Sequence, residues 1–263
     1  MDVLTPRNLD EALRLKSDLP EARFVLGGTD VMVELNFRAS RPPALVNLAE
    51  LGELRGFTTD GGELRLGAGL TYTEALSGRL AERLPALAEA SRTVGSPQIR
   101  NRGTIGGNLG TASPAGDALP PLLVERARVE LASVRGVRIL PLEEFLLGVK
   151  RTALAPDELV TAVRLTPSGG PQTFMKVGPR NAMVIAICSL AVVVDDEAGE
   201  VRAAFGSAAE TAIRVTVPLD EAGALPERVA TAASPIDDVR ATAAYRRHAL
   251  RVLAQRALAR CLR

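Results

Sequence analysis

Two glycine-rich loops carry the clearest chemical signal in this 263-residue chain. The first is Leu26-Gly27-Gly28-Thr29-Asp30, directly after the apolar run Phe24-Val25-Leu26. The second is Thr104-Ile105-Gly106-Gly107-Asn108, followed by Ser113-Pro114-Ala115-Gly116-Asp117. Glycine removes the Cβ that would hold a ligand off the backbone, and it permits positive φ, so consecutive N–H groups can converge on one anion. Two such loops facing each other can bind a diphosphate with little help from Lys or Arg, with Thr29, Thr104 and Asn108 adding side-chain hydrogen bonds. Either glycine pair alone also reads as a tight turn. The better-known nucleotide signatures are absent: there is no Gly-Lys dipeptide for a Walker A loop, and neither loop spells Gly-x-Gly-x-x-Gly.

Other chemistries fall to arithmetic. His248 is the single histidine, which rules out a His-Glu-x-x-His zinc site. Cys188 and Cys261 are two thiols where an iron–sulfur cluster needs about four, so they read as buried thiols rather than ligands or a disulfide. Lys and Arg total 32 against 31 Asp and Glu, and aromatics are 3% with no Trp. That balance argues against nucleic acid or an anionic membrane as the main partner. The N-terminus lacks the apolar core of a signal peptide, and the longest apolar run, Met183 to Val194, is too short to span a bilayer. A cytoplasmic protein is expected.

The elements that position the loops alternate early in the chain. Asn8 and Glu11 resemble a capping box, with Leu9, Ala12, Leu13 and Lys16 at helical spacing until Pro20. Phe24 to Leu26 and Leu45 to Leu48 read as strands, and Val31 to Leu35 as helix. Glu63 to Ala68 alternates with period two, then Thr71 and Glu74 form a second capping box before a helical stripe of Leu76, Leu80, Leu84 and Leu87. From Thr93 to Pro121 the pattern dissolves into a long loop-like stretch, and structureless stretches of that length in compact proteins are usually functional or disordered. Strands return at Val129 to Leu131, Val137 to Ile139 and Leu159 to Leu165, and Pro167 to Pro171 reads as a linker. Val184 to Val194 reads as a buried strand with a partner at Val201 to Phe205 across a turn at Asp195 to Gly199. Tyr245 to Leu262 reads as a helix on which Tyr245, Ala249, Val252, Leu253 and Ala257 face one way, with Arg246, Arg247, Arg251 and Arg260 spread over other faces. His248 lies in that helix with no catalytic partner in view.

The ordered set Leu26-Gly-Gly-Thr-Asp30, Arg102-Gly-Thr-Ile-Gly-Gly-Asn108 and Ser-Pro-x-x-Asp117 resembles the FAD-binding medium subunit of molybdenum hydroxylases. That family includes carbon monoxide dehydrogenase, 4-hydroxybenzoyl-CoA reductase and xanthine dehydrogenase. The resemblance extends over essentially the whole chain, through Arg100-Asn101-Arg102, Arg151-Thr152-x-Leu154 with Asp157-Glu158, and Tyr245-Arg246-Arg247. It implies an α+β fold: two FAD-binding subdomains of the PCMH and vanillyl-alcohol oxidase type (residues 1–55 and 56–168), then an α+β C-terminal domain (172–263).

Carried onto matching positions, the resemblance implies that Leu26, Gly27, Gly28, Thr29 and Asp30, with Thr104, Ile105, Gly106, Gly107 and Asn108, hold the diphosphate mainly through backbone amides. Ser113 belongs to the same site, Asp117 accepts from ribose hydroxyls, Val160 packs near adenine or flavin, and Lys176 lies beside the cofactor. Lys176 is one of three lysines in an Arg-rich chain, a hint of a required ammonium, although a solvated surface lysine reads equally well. Where xanthine dehydrogenase carries an aromatic near the flavin, Val94 stands here, able to pack but not to stack.

The family further implies a molybdopterin-binding large subunit, a small subunit with two [2Fe–2S] clusters, a dimer of heterotrimers, and a flavin that takes up the electrons and delivers them to a final acceptor. No catalytic acid, base or nucleophile is expected in this chain. A stand-alone FAD-dependent oxidoreductase of the same fold is the alternative, and a scaffold in which the glycine pairs are merely turns is a second. The substrate and the acceptor, among quinone, NAD, ferredoxin and oxygen, stay open.

Overall fold

Three main sheets succeed one another in the computed structural model, which describes residues 1–37, 41–181 and 183–263. The first comprises β1 (Asp2–Leu4), β2 (Arg23–Val25) and β3 (Ala44–Asn47), with α1 (Leu9–Asp18) and α2 (Val31–Phe37) as the intervening helices. Its order is β1-β3-β2 and both pairings are parallel, which is why each strand connection carries a helix. Asn8 caps α1 by accepting from the Glu11 N–H, but the Glu11 carboxylate turns to the Arg7 N–H (2.9 Å), so the predicted box closes on one side only.

The second unit runs through β4 (Phe57–Asp60), β5 (Glu63–Gly67), α3 (Tyr72–Ala75), α4 (Gly78–Arg83), α5 (Pro85–Thr93), α6 (Pro97–Arg100), α7 (Ile105–Thr111) and α8 (Leu119–Val124). It continues with β6 (Arg128–Ser133), β7 (Gly136–Pro141), α9 (Leu142–Phe145), the hairpin β8 (Leu146–Gly148) and β9 (Arg151–Thr152), and β10 (Leu159–Leu165). The strands pair antiparallel in the order β4-β5-β10-β6-β7. Thr71 and Glu74 make the full reciprocal capping box. The leucine stripe that follows is three short helices instead of one, because Gly78 at φ 64° and Pro85 interrupt it. The expected loop from Thr93 to Pro121 likewise contains α6, α7 and the start of α8, each too short to show a periodic stripe.

The third unit holds β11 (Gln172–Val177), β12 (Cys188–Asp195), β13 (Glu200–Gly206), β14 (Ile213–Pro218), α10 (Leu225–Ala232) and α11 (Ala243–Cys261). Its sheet is antiparallel in chain order. Along β12 the side chains alternate between two cores: Leu190, Val192 and Val194 pack with α10 and α11, whereas Ala191 and Val193 join the core of the second unit. Both faces are dry, so the strand reads as an unbroken apolar run. It begins at Cys188, four residues later than expected, and Ile185 is exposed.

The expected linker is packed: Ser168 donates its N–H to Glu125, and a Cβ on Gly170 would lie 1.8 Å from the Val194 carbonyl oxygen. In α11 Ala249, Leu253 and Ala257 of the expected stripe are buried, but at the first turn Arg246 is buried and Tyr245 exposed. His248 is exposed on the same helix. Cys188 and Cys261 are buried free thiols, pushed by burial to about 12 and about 11, so neither is a thiolate at neutral pH. No helix among the described residues is long and apolar enough to cross a membrane.

Candidate functional site

The first glycine loop leaves β2 and turns into α2. A Cβ on Gly27 would sit 2.0 Å from the Arg102 carbonyl oxygen and 3.1 Å from the Gly103 Cα, so this loop lies directly on the approach to the second loop. Gly28 takes φ 75°, a left-handed conformation that glycine adopts without strain. The Gly28 and Asp30 carbonyls accept the first bonds of α2, from Met32 and Glu34. The N–H groups of residues 27–31 have no acceptor among the described residues. The Asp30 carboxylate accepts from the Thr111 hydroxyl (2.8 Å) at the far end of α7, which ties the loops together.

The second loop has spent its amides from Ile105 to Asn108. Ile105 donates to the Leu70 carbonyl (2.9 Å) and Gly106 to that of Ala68 (2.8 Å). Thr104 caps α7 by accepting from the Gly107 N–H through its hydroxyl (3.0 Å) and from the Asn108 N–H through its carbonyl (3.0 Å). Gly106 is required for contact, since a Cβ there would approach that of Ala68 to 2.5 Å. The two loops therefore present unequal sets of donors, an asymmetry that their similar sequences hide.

Asp117 is buried at the end of the Ser113 turn. Its Oδ2 accepts from the Lys176 ammonium (2.5 Å), which also donates to the Thr93 carbonyl (3.3 Å). Burial raises the Asp117 carboxyl above its ordinary range, against the opposing pull of Lys176. Its Oδ1 has no hydrogen-bond partner, nor does Asn108 Oδ1. Lys176 is thus a buried counter-ion with side-chain exposure of 6%, not a solvated surface lysine. It comes from β11, so the third unit reaches into a site built by the first two.

Val160 sits where β10 slips register against β6, between the pairs Val160–Leu131 and Ala162–Glu130. Such a bulge re-aims side chains next to functional clefts. Val94 ends α5, and its carbonyl and that of Gly95 accept from the Arg100 guanidinium (3.2 and 3.0 Å). The Ser113 turn is held from the third unit by the Ser207 N–H, which donates to the Pro114 carbonyl (2.7 Å).

These segments enclose a cavity of 910 Å³, at the upper end of the ~300–1,000 Å³ common for cofactor sites. Of the residues the sequence singles out, all but two line it. Ile105 points into the core, and Lys176 stands behind Asp117. Sequence reasoning missed Tyr72, Ile99, Val184 and Ile185 on the wall. Tyr72 carried one signal, its place just inside the capping box. The others look like ordinary core residues in a linear sequence.

The polar groups left over define the ligand. One wall offers N–H groups that lack acceptors, and the other offers one carboxylate oxygen, Asp117 Oδ1, and one amide oxygen, Asn108 Oδ1, that lack donors. A dinucleotide, anionic at its centre and rich in hydroxyl donors on its sugars, fits both demands.

Comparison with known proteins points the same way. Residues 1–167 match the family described as the FAD-binding domain in molybdopterin dehydrogenase. The chain is 32% identical over 269 residues to the putative xanthine dehydrogenase FAD-binding subunit of Escherichia coli (strain K12), spanning 95% of this chain and 92% of that one. It is 33% identical over 280 residues to the carbon monoxide dehydrogenase medium chain of Afipia carboxidovorans, spanning 98% and 96%. Among solved structures, the carbon monoxide dehydrogenase of Hydrogenophaga pseudoflava superposes with a TM-score of 0.91 at 26% identity, over 100% of this chain and 97% of that one.

Proposed function

Because the chain belongs to the FAD-binding family of the molybdopterin dehydrogenases, we propose that it passes electrons from the [2Fe–2S] clusters of a partner subunit to an external acceptor. The protein is an FAD-binding oxidoreductase subunit of a molybdenum hydroxylase. One observation carries the assignment of its site: a dinucleotide-sized cavity with unclaimed amides on one wall and an unclaimed carboxylate oxygen on the other.

The N–H groups from Gly27 to Asp30 hold the diphosphate, and the hydroxyls of Thr29 and Thr104 add donors to it. Asp117 accepts from a ribose hydroxyl through Oδ1, while Lys176 orients the same carboxylate through Oδ2 and opposes the effect of its burial. Asn108 Oδ1 accepts a second sugar or ribityl hydroxyl, and Val160 and Val94 supply apolar wall and exclude water. When bound, FAD supplies a redox centre that accepts electrons singly or in pairs. This chain's own residues orient it, shield it and set its surroundings, and none of them serves as acid, base or nucleophile.

The division of labour follows the chain: 1–55 and 56–168 close on the cofactor, and 172–263 braces them through Lys176 and Ser207. A molybdopterin-binding large subunit and a [2Fe–2S] small subunit complete the enzyme, as a dimer of heterotrimers in the cytoplasm. The test is purification of the native assembly. Molybdenum, iron, two further chains and the visible absorption of non-covalent FAD are expected. A colourless, folded chain that ignores added FAD overturns the reading, and a yellow chain that turns over its own substrate without partners overturns the subunit role.

A further inference from the structure

The second glycine loop keeps fewer donors for a dinucleotide than the first, namely the N–H and hydroxyl of Thr104. The amides of residues 105–108 are all committed within the protein, to Leu70, Ala68 and Thr104. Beneath this loop stands Tyr72, the first residue of α3. Its N–H donates to the Gly103 carbonyl (3.1 Å), and a Cβ on Gly103 would come within 3.1 Å of the ring. Gly103 is also what Gly27 packs against, so the ring is wedged at the seam between the two loops.

The side chain is 5% exposed, it lines the cavity, and its hydroxyl makes no hydrogen bond to any described residue. Buried tyrosine hydroxyls usually find a partner. Burial, then the nearby charges of Asp117 and Asp30, push the phenol far above its ordinary range. It therefore stays protonated and can only donate to an anion.

We propose that the Tyr72 hydroxyl donates a hydrogen bond to the diphosphate of the bound dinucleotide, replacing at the second loop the amides spent on the loop's own fold. This rests on the FAD-binding reading above. The phenyl ring contributes packing and the hydroxyl contributes affinity, and one substitution separates the two.

Tyr72→Phe in the full chain, stripped of flavin, keeps the ring and removes one atom. A bond to an anionic oxygen predicts that FAD and ADP both bind between roughly tenfold and a hundredfold more weakly. The melting temperature of the flavin-free chain should hold or rise, since the lost hydroxyl had no partner there. A purely structural role predicts the reverse, a lower melting temperature with affinity unchanged. Equal FAD affinity in the two proteins overturns the proposal, and so does a loss for FAD that ADP does not share. If the wild-type chain itself binds no FAD, the FAD-binding reading falls and the proposal with it.

Discussion

At Gly27 an added Cβ would meet the Arg102 carbonyl oxygen at 2.0 Å, whereas at Gly28 the nearest side-chain atoms are 3.6 Å away and the demand is φ 75°. The two neighbours are needed for different reasons, one for space and one for backbone freedom. Gly28→Ala should therefore cost about 1–2 kcal/mol of stability, the strain of a left-handed alanine, and leave the loops in contact. Gly27→Ala must push backbone off backbone. Its cost should exceed the ~1–3 kcal/mol of ordinary overpacking, and FAD binding should be lost with it. Thermal melts of the flavin-free chain beside FAD titrations separate the two effects. Comparable losses of affinity in both variants would contradict this reading of Gly27.

Among the elements, the five-stranded sheet carries a charged ladder across β5, β6 and β10. Glu130 accepts from Arg65 (2.7 Å), Arg164 (2.7 Å) and the Thr161 hydroxyl (2.9 Å). Burial alone would raise its carboxyl, but these bonds outweigh burial and hold it down at about 2. A depressed carboxyl stabilises the fold above the unfolded value of 4.5, and that stability is lost as pH falls from there toward about 2. Glu130→Gln should cost on the order of 2 kcal/mol at pH 7, discounted for the partly exposed arginines, and flatten the acid limb of a stability–pH curve. An unchanged acid limb would show that the ladder does not govern it.

Helix α11 shows how an element's register can mislead. Its hydrophobic stripe nominates Tyr245, yet Arg246 is the residue inside, donating to the carbonyls of Ile187 (2.8 Å) and Ser207 (2.6 Å) and to Asp238 (2.6 Å). Those carbonyls belong to the residues flanking β12 and β13, just before the one and just after the other, which no helical pattern can anticipate. The acceptors at those strand ends hold the guanidinium inside, so Arg246 takes the buried position at the first turn while Ala249, Leu253 and Ala257 stay inside as their spacing predicts.

Across the whole molecule the second and third units share one core, in which Ala191, Val193 and Ala204 pack with Leu119, Leu122 and Leu123. The Lys176–Asp117 pair adds a buried charge contact between the same units. Removing one partner of such a pair leaves the other charge stranded, at about 3–5 kcal/mol. Lys176→Met should lose stability on that scale and weaken FAD, and adding Asp117→Asn should recover most of the stability while FAD binding stays weak. Denaturant melts of the single and double variants check this. A double variant as unstable as the single one would show that the charge pair is not the cause.

The amino-acid sequence alone determined the two glycine loops, the Thr71 capping box, the cofactor and about half of the strands to within a residue or two, because these depend on local backbone demands and on motifs contiguous in the chain. The strands β1, β4, β8, β9, β11 and β14 carried no such signal. Tertiary structure alone decided which loop keeps its amides unclaimed, that Lys176 is buried against Asp117, that Arg246 faces inward, and that Tyr72 stands at the seam. Each of those turns on a partner far along the chain, such as Ala68 for Gly106 or Ser207 for Arg246. A donor's availability depends on where every acceptor has come to rest, and only the folded chain fixes that.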